Sequence, residues 1–275
     1  MEENPVITAH AAKTNKKTDE SWGGFTWFLV KLVLVVLAFR AFVFSPFTIP
    51  SESMLPRLMN GDYLIAAKWP YGYSKLSLPY EVPLIPGRVF ASLPERGDVA
   101  IFKHPVDGID YIKRVIALPG DTVELREGRV ILNGEVLKYQ MLDDAMVPLS
   151  ANTTCHPFAQ LTEDDDATTC VYPQLQEVLP SQRSYPVIDL GPAYQDNFGP
   201  VTVPDGKLFV LGDNRDNSQD SRFDAEAQAG VGLVPAELLV GRATMILWST
   251  DGSAQWSKPW TWFTSVRWNR IGNTL

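Results

Sequence analysis

The sequence predicts a mainly β fold: one antiparallel-β domain carried behind a single N-terminal apolar helix. Three observations predict it. Twenty-one prolines and 19 glycines in 275 residues break the chain into short segments joined by tight turns. Between those turns, short runs alternate apolar and polar side chains with the period of two that a strand imposes. One segment departs from this pattern. "FTWFLVKLVLVVLAFRAFVF", Phe25 to Phe44, is apolar over roughly the 20 residues that a bilayer-spanning helix needs. No internal repeat, heptad run or low-complexity tract competes with this reading.

The elements follow in order. Residues 1–24 read as a cytoplasmic tail and 25–44 as the span, interrupted only by Thr26, Lys31 and Arg40. A charge at the bilayer centre costs about 2.5–3.5 kcal/mol on insertion scales, but these two cations lie nearer the ends and can snorkel. Lys13, Lys16 and Lys17 precede the span, against Arg57 alone in a comparable stretch after it. The positive-inside rule therefore leaves the tail in the cytoplasm and exports residues 46–275. A cleaved signal peptide fits poorly, because "RAFVFSPFTIP" offers no small-x-small site.

Next comes "PFTIPSESMLPRL", residues 46–58, a ledge whose prolines forbid a helix interior and force an extended path. "NGDYLIAAKWPYG" reads as a turn, a short strand and an aromatic turn, and "ERGDVAIFKHP" as a turn and the strand Val99 to Lys103. A strand from Tyr111 to Leu118 follows, then a Pro-Gly-Asp turn and a hairpin with Asn133-Gly134 at its second turn. Residues 138–200, rich in Pro, Asp, Thr and Gln, read as an irregular insertion. The chain resumes with a strand from Lys207 to Leu211, a polar loop, and one or two strands in "AELLVGRATMILWS". Cys155 and Cys170 enclose a short polar loop; an oxidising compartment favours a disulfide there over free thiols or a metal pair. Trp256, Trp260, Trp262 and Trp268 suit either a membrane interface or a core.

A net charge of −8 and a pI near 5 argue against nucleic acid as a partner. The chain has no G-x-S-x-G, H-E-x-x-H, P-loop or S-x-x-K motif, and "GDNRDNSQDSRF" fails the spacing of a calcium loop. With histidines only at His10, His104 and His156, a Ser-His-Asp triad would rest on His104 alone, and metal sites lack ligands. The strand "YIKRVIAL" carries one cation on each face, so a sheet with one buried face must bury Lys113 or Arg114. A buried arginine keeps its proton and needs a carboxylate; a buried lysine can go neutral and act as a base. A lone strand lysine is more often a snorkelling residue at a sheet edge.

"PSESMLPRL", "GDYLIAAKWPYG", "RGDVAIFKHP", "YIKRVIALPGD" and "GDNRDNSQDSR" occur in this order. In these five boxes behind an N-terminal anchor, the chain resembles the type I (leader) signal peptidases, membrane-anchored serine-lysine endopeptidases. The resemblance covers most of residues 46–250 apart from the 138–200 stretch. It implies the antiparallel-β peptidase fold of the signal peptidase/LexA-like type. It implies Ser53 as nucleophile, Lys113 as general base, and the Ser51 hydroxyl with the Ser53 N–H as oxyanion hole. Ser218 matches the residue that orients the lysine, and Asp213 and Asp220 match acids that pair with Arg114 and Arg222. Phe47, Ile49, Pro50, Met54, Ile101, Tyr111 and Ile112 match positions lining the substrate groove.

The resemblance further implies a single-pass protein of the cytoplasmic membrane with its catalytic domain outside, in the periplasm. Its partners would be preprotein signal peptides, membrane lipid and the export translocon, with no cofactor and no metal. Arg57 stands where a threonine is common and Ala117 where a glycine is common; neither is a catalytic position. Two other readings compete. A LexA-like self-cleaving protein is opposed by the exported orientation and the lack of a DNA-binding helical domain. An inactive single-pass β scaffold or sensor is opposed by the presence of both Ser53 and Lys113.

Overall fold

A computed structural model describes residues 22–164 and 167–275. The apolar segment forms one helix, α1, Trp22–Phe42, starting three residues before the predicted span and ending two before its end. At 1.5 Å per residue it is about 31 Å long, enough to cross a hydrocarbon core. Only Ala41 is buried, and its other large apolar side chains stand exposed. Among the described residues, those up to Leu37 and those from Ala38 onward form two separate compact units. The second unit holds every described strand.

Its main sheet has seven strands: β1, Phe44–Thr48; β2, Asp62–Ala67; β3, Val99–Lys103; β4, Asp110–Ala117; β5, Lys207–Leu211; β6, Val234–Pro235; and β7, Leu239–Ser249. The order is β1-β2-β7-β3-β4-β5-β6, antiparallel throughout. β1 is thus an edge strand, paired from Phe44 opposite Ala67 to Thr48 opposite Tyr63. The ledge leaves that edge through a run of turns. Met54, Leu55 and Leu58 have no exposed surface, and each buried side chain of this kind contributes about 1.5–3 kcal/mol. The turn between the two serines and the sheet is therefore pinned from below. The predicted strands at Val99–Lys103 and Lys207–Leu211 are found as expected, and the Tyr111–Leu118 strand is displaced by one residue. Asn133 and Gly134 both take positive φ (53° and 83°), as a two-residue turn that follows the strand twist requires.

Two expectations need correction. β4 is buried on both faces, so the sheet does not choose between Lys113 and Arg114; it buries both. One core cluster, with Phe102, Val115 and Val210, covers one face, and clusters holding Ile112 and Ile116 cover the other. The second correction concerns residues 138–200, which are largely strands, not irregular chain. Lys138–Met141, Gln174–Val178 and Ser184–Ile188 form one three-stranded sheet, and Ala145–Pro148, Ala167–Tyr172 and Gln160–Asp164 form another. Phe198–Thr202 joins the hairpin Thr122–Arg126/Arg129–Leu132. The period-two signal was present in "QLQEV" and "SYPVI", which bury alternate residues, but it is diluted by buried Glu177 and by Pro186. Cys155 and Cys170 are joined by a disulfide. The four C-terminal tryptophans do not fill core: Trp256, Trp260, Trp262 and Trp268 are all exposed.

Candidate active site

The ledge and β4 bring Ser53 and Lys113 together across 60 positions of sequence. Lys113 Nζ donates to Ser53 Oγ at 2.7 Å and to the Ile112 carbonyl at 3.1 Å. Both side chains are buried. The Ser53 carbonyl accepts from the Asn214 N–H at 3.1 Å, and Asn214 Nδ2 donates to the Glu52 carbonyl at 3.1 Å. Glu52 Oε1 accepts from the Thr154 N–H at 2.9 Å, so the turn is held from three sides. Ser51, exposed on the cleft wall, has its Oγ 3.4 Å from Ser53 Oγ.

Burial pulls the Lys113 ammonium down to about 8, against the opposing pull of the Asp220 and Asp213 carboxylates. Asp213 takes Arg114 with both oxygens, at 2.7 and 2.5 Å, and Arg114 also stacks on the Tyr185 ring. Asp220 takes Arg222 through Nε at 2.9 Å and accepts the Gly212 N–H at 3.0 Å. Burial would raise the Asp220 carboxyl, but the Arg222 charge and these hydrogen bonds hold it below the usual carboxylate range. Both aspartates thus lie near the lysine, each paired with its own arginine. A neutral amine this close to a hydroxyl can take its proton, and a pKa near 8 makes the neutral form accessible near neutral pH.

Ser218 is buried close by, but no hydrogen bond joins its Oγ to Lys113. It lies near enough to Asp220 to add to the stabilisation of that carboxylate. Gly212 sits between β5 and Asp213, where a side chain would collide with Ser218 Oγ and the Ser53 carbonyl. His104 is occupied elsewhere: its Nε2 faces the Gly230 carbonyl at 3.1 Å, and its ring packs on Tyr111.

A cleft of about 470 Å³ opens over Ser53 and Lys113. Phe47, Ile49, Pro50, Ile101, Tyr111 and Ile112 line it. Met54 does not; it is wholly buried beneath the turn, against Ile49 and Leu58, because the chain curls inward after Ser53. Sequence reasoning missed Asn217, Gln219 and Gln228, which supply a polar wall from the loop after β5. It also missed Glu177. That carboxylate is fully buried and accepts from Arg215 at 2.7 Å, Tyr139 at 2.6 Å and Tyr185 at 2.5 Å, tying the 138–200 strands to the loop that carries Asp213 and Asp220. Nothing in the local sequence marked it.

Residues 22–248 match the model of the family described as "Signal peptidase, peptidase S26". Among similar proteins, the signal peptidase I of Rickettsia massiliae (strain Mtu5) is 33% identical, over 96% of this chain and 96% of its own length. That of Rickettsia typhi (strain Wilmington) is also 33% identical, with the same two shares covered. A solved signal peptidase I from Enterococcus faecalis V583 is 24% identical over 55% of this chain and 97% of its own, at a TM-score of 0.30, too slight a likeness to carry weight. The match over most of the chain and the two full-length relatives establish the family: the chain belongs to the signal peptidases of family S26.

Proposed function

We propose that this protein is a signal peptidase I that cuts N-terminal signal peptides from exported preproteins, with Ser53 as nucleophile and Lys113 as general base. The observation that carries the proposal is the buried amine 2.7 Å from a hydroxyl on a pinned turn. In the reading proposed, neutral Lys113 takes the Ser53 proton as Oγ attacks the scissile carbonyl. The Ser53 N–H and the Ser51 hydroxyl face the developing oxyanion; losing one such donor typically costs about 2.7–4 kcal/mol of barrier. Lys113 then gives its proton to the leaving amine, and activates the water that releases the acyl-enzyme. Cleavage of a precursor peptide, lost on replacement of either residue, tests the assignment.

The reading extends to the membrane. The helix α1 anchors the chain, the tail before it lies in the cytoplasm, and the β domain works outside. The exposed tryptophans support contact with lipid, and the export translocon is a natural neighbour for an enzyme that meets preproteins as they emerge. Protease added to intact spheroplasts is expected to degrade the β domain. Full protection beside accessible control proteins would reverse the orientation.

Two further results are expected from the site. kcat/KM should rise about tenfold per pH unit at low pH and level off above about 8, because only the neutral lysine accepts a proton. A rising limb centred near 10 would mean an unburied lysine. Replacing Gly212 by alanine should push the Ser53 turn out of register and cut kcat by about a hundredfold, while the protein stays folded. An undiminished kcat would show that the turn yields at no cost to geometry.

A further inference from the structure

Glu52, between Ser51 and Ser53, is held at both its carbonyl and its carboxylate, by different parts of the chain. Its carbonyl accepts from Asn214 Nδ2 at 3.1 Å, and its Oε1 accepts from the Thr154 N–H at 2.9 Å. That carbonyl and the Ser53 N–H belong to one planar peptide unit, so whatever turns the plane re-aims the N–H. Asn214 holds the unit at the oxygen alone, about which it can still pivot. The charge-assisted bond to Thr154 opposes that pivot from a second segment.

Thr154 is fixed by what flanks it. The next residue, Cys155, is joined to Cys170, wholly buried in the middle strand, Ala167–Tyr172, of its three-stranded sheet. Cys170 shares one core cluster with Leu55 and Met59, from the turn that follows Ser53. The contacts therefore close on themselves: from Glu52 to Thr154, through the disulfide to Cys170, and back through Leu55 to the same turn. Arg267 also restrains this segment, donating to Asn152 Oδ1 at 3.1 Å and Thr153 Oγ1 at 3.2 Å. The His156 N–H donates to the Tyr172 hydroxyl at 3.1 Å. Removing the disulfide should then loosen Thr154 without releasing it.

We propose that Glu52 is a positioning residue: braced by the disulfide-held Thr154, it aims the Ser53 N–H at the developing oxyanion. The proposal rests on the reading of Ser53 as nucleophile. A mis-aimed donor costs most where negative charge develops, so the effect falls on kcat and leaves KM unchanged.

The test is steady-state cleavage of a precursor peptide with alanine before the cut, by the full-length protein in neutral detergent micelles. Glu52→Ala should lower kcat about tenfold at unchanged KM, with the protein still folded. Glu52→Gln keeps an acceptor at the same reach, and should restore kcat to within about threefold of wild type. Glu52→Asp keeps the charge but falls one methylene short of Thr154, and should behave as alanine does. It covers the case in which Glu52→Ala fails to fold. Dithiothreitol reduces the disulfide to two thiols while its own two thiols close into a cyclic disulfide; wild-type kcat should then fall about three- to tenfold. A Cys155→Ser, Cys170→Ala double variant should show the same fall, and serves where the bond resists the reagent. In Glu52→Ala neither treatment should lower kcat further, because the connection is already cut. A loss carried by KM, a glutamine variant as slow as alanine, or equal falls on reduction in wild type and Glu52→Ala would overturn the proposal. So would an undiminished kcat in both Glu52→Ala and Glu52→Asp. Equal cutting by wild type and Ser53→Ala would instead sink the assignment of the nucleophile on which the proposal rests.

Discussion

Ser53→Ala and Lys113→Met should each lower precursor cleavage by about a thousandfold or more, with the protein still folded. The reason lies in how little else is available. Ser53 Oγ receives one strong contact from a titratable group, Lys113 Nζ at 2.7 Å, and the neighbouring Ser51 hydroxyl cannot replace it as a base. Removing Lys113 leaves no described group within reach that can accept the proton. The variant should not unfold. A lysine held near 8 instead of 10.5 disfavours the folded state at neutral pH by about 3 kcal/mol, and methionine fills similar space without that charge. The sign follows from proton binding. Between pH 8 and 10.5 the unfolded chain binds the proton and the folded one does not, so wild-type stability should rise with pH there. Lys113→Met should lack that rise. His104→Ala should retain most activity, since its ring nitrogens face Gly230 and Asp107, not Ser53. A dead His104→Ala beside an active Lys113→Met would remove the dyad from consideration.

The sequence made some of this arrangement readable because it rests on local chemistry. Prolines at both ends of the ledge, an apolar run of membrane length, and cations on both faces of one strand are all visible within a few residues. That a buried Arg114 would need a carboxylate was legible in its own strand; that Asp213 would be the one was implied only by the resemblance, and the two are paired in the structure. What stayed hidden depends on chain segments that meet only in the fold. Glu177 is buried by Tyr139, Tyr185 and Arg215, and no window of sequence contains more than two of these residues close together. Burial of both faces of β4 comes from core clusters drawn from separate stretches, including Tyr71 and Val231 on one side. Met54 could not be told from its neighbours as a groove or a core residue, because the turn after Ser53 decides which way it points.

The buried ion pairs form a frame rather than a set of isolated bridges. Arg114–Asp213, Arg222–Asp220 and Arg215–Glu177 are all within the interior, and Arg222 also donates to the Arg215 carbonyl at 2.5 Å. Removing one partner strands the other charge, a loss of about 3–5 kcal/mol, whereas the net worth of an intact pair is small. Their contribution is therefore better read as position: they fix the loop whose Asn214 holds the Ser53 carbonyl and whose aspartates face Lys113.

Substrate selection should show an effect as large as the dyad's. A precursor with alanine before the cut should be processed about a thousandfold faster than one with lysine or tryptophan there. β1 is an edge strand, so an extended substrate can lie along it and β4 and point alternate side chains into the cleft. The residue before the cut and the one two earlier then share the buried face, while the residue between them faces away. Ile49, Ile101 and Ile112, all nearly inaccessible, make the floor, and Phe47 and Tyr111 narrow the sides. A floor of branched aliphatic side chains leaves room for alanine, glycine or serine. A tryptophan would have to displace packed core, and a lysine would bury its ammonium against apolar carbon without a partner. Changing the three positions in turn to Ala, Leu, Trp and Lys should therefore give two strict sites flanking a tolerant one. Ile112→Ala lowers the floor, and should admit leucine before the cut while alanine is still accepted. Efficient cutting after tryptophan or lysine by wild type, or no relaxation in Ile112→Ala, would mean that the substrate does not run along this cleft, even with Ser53 and Lys113 confirmed.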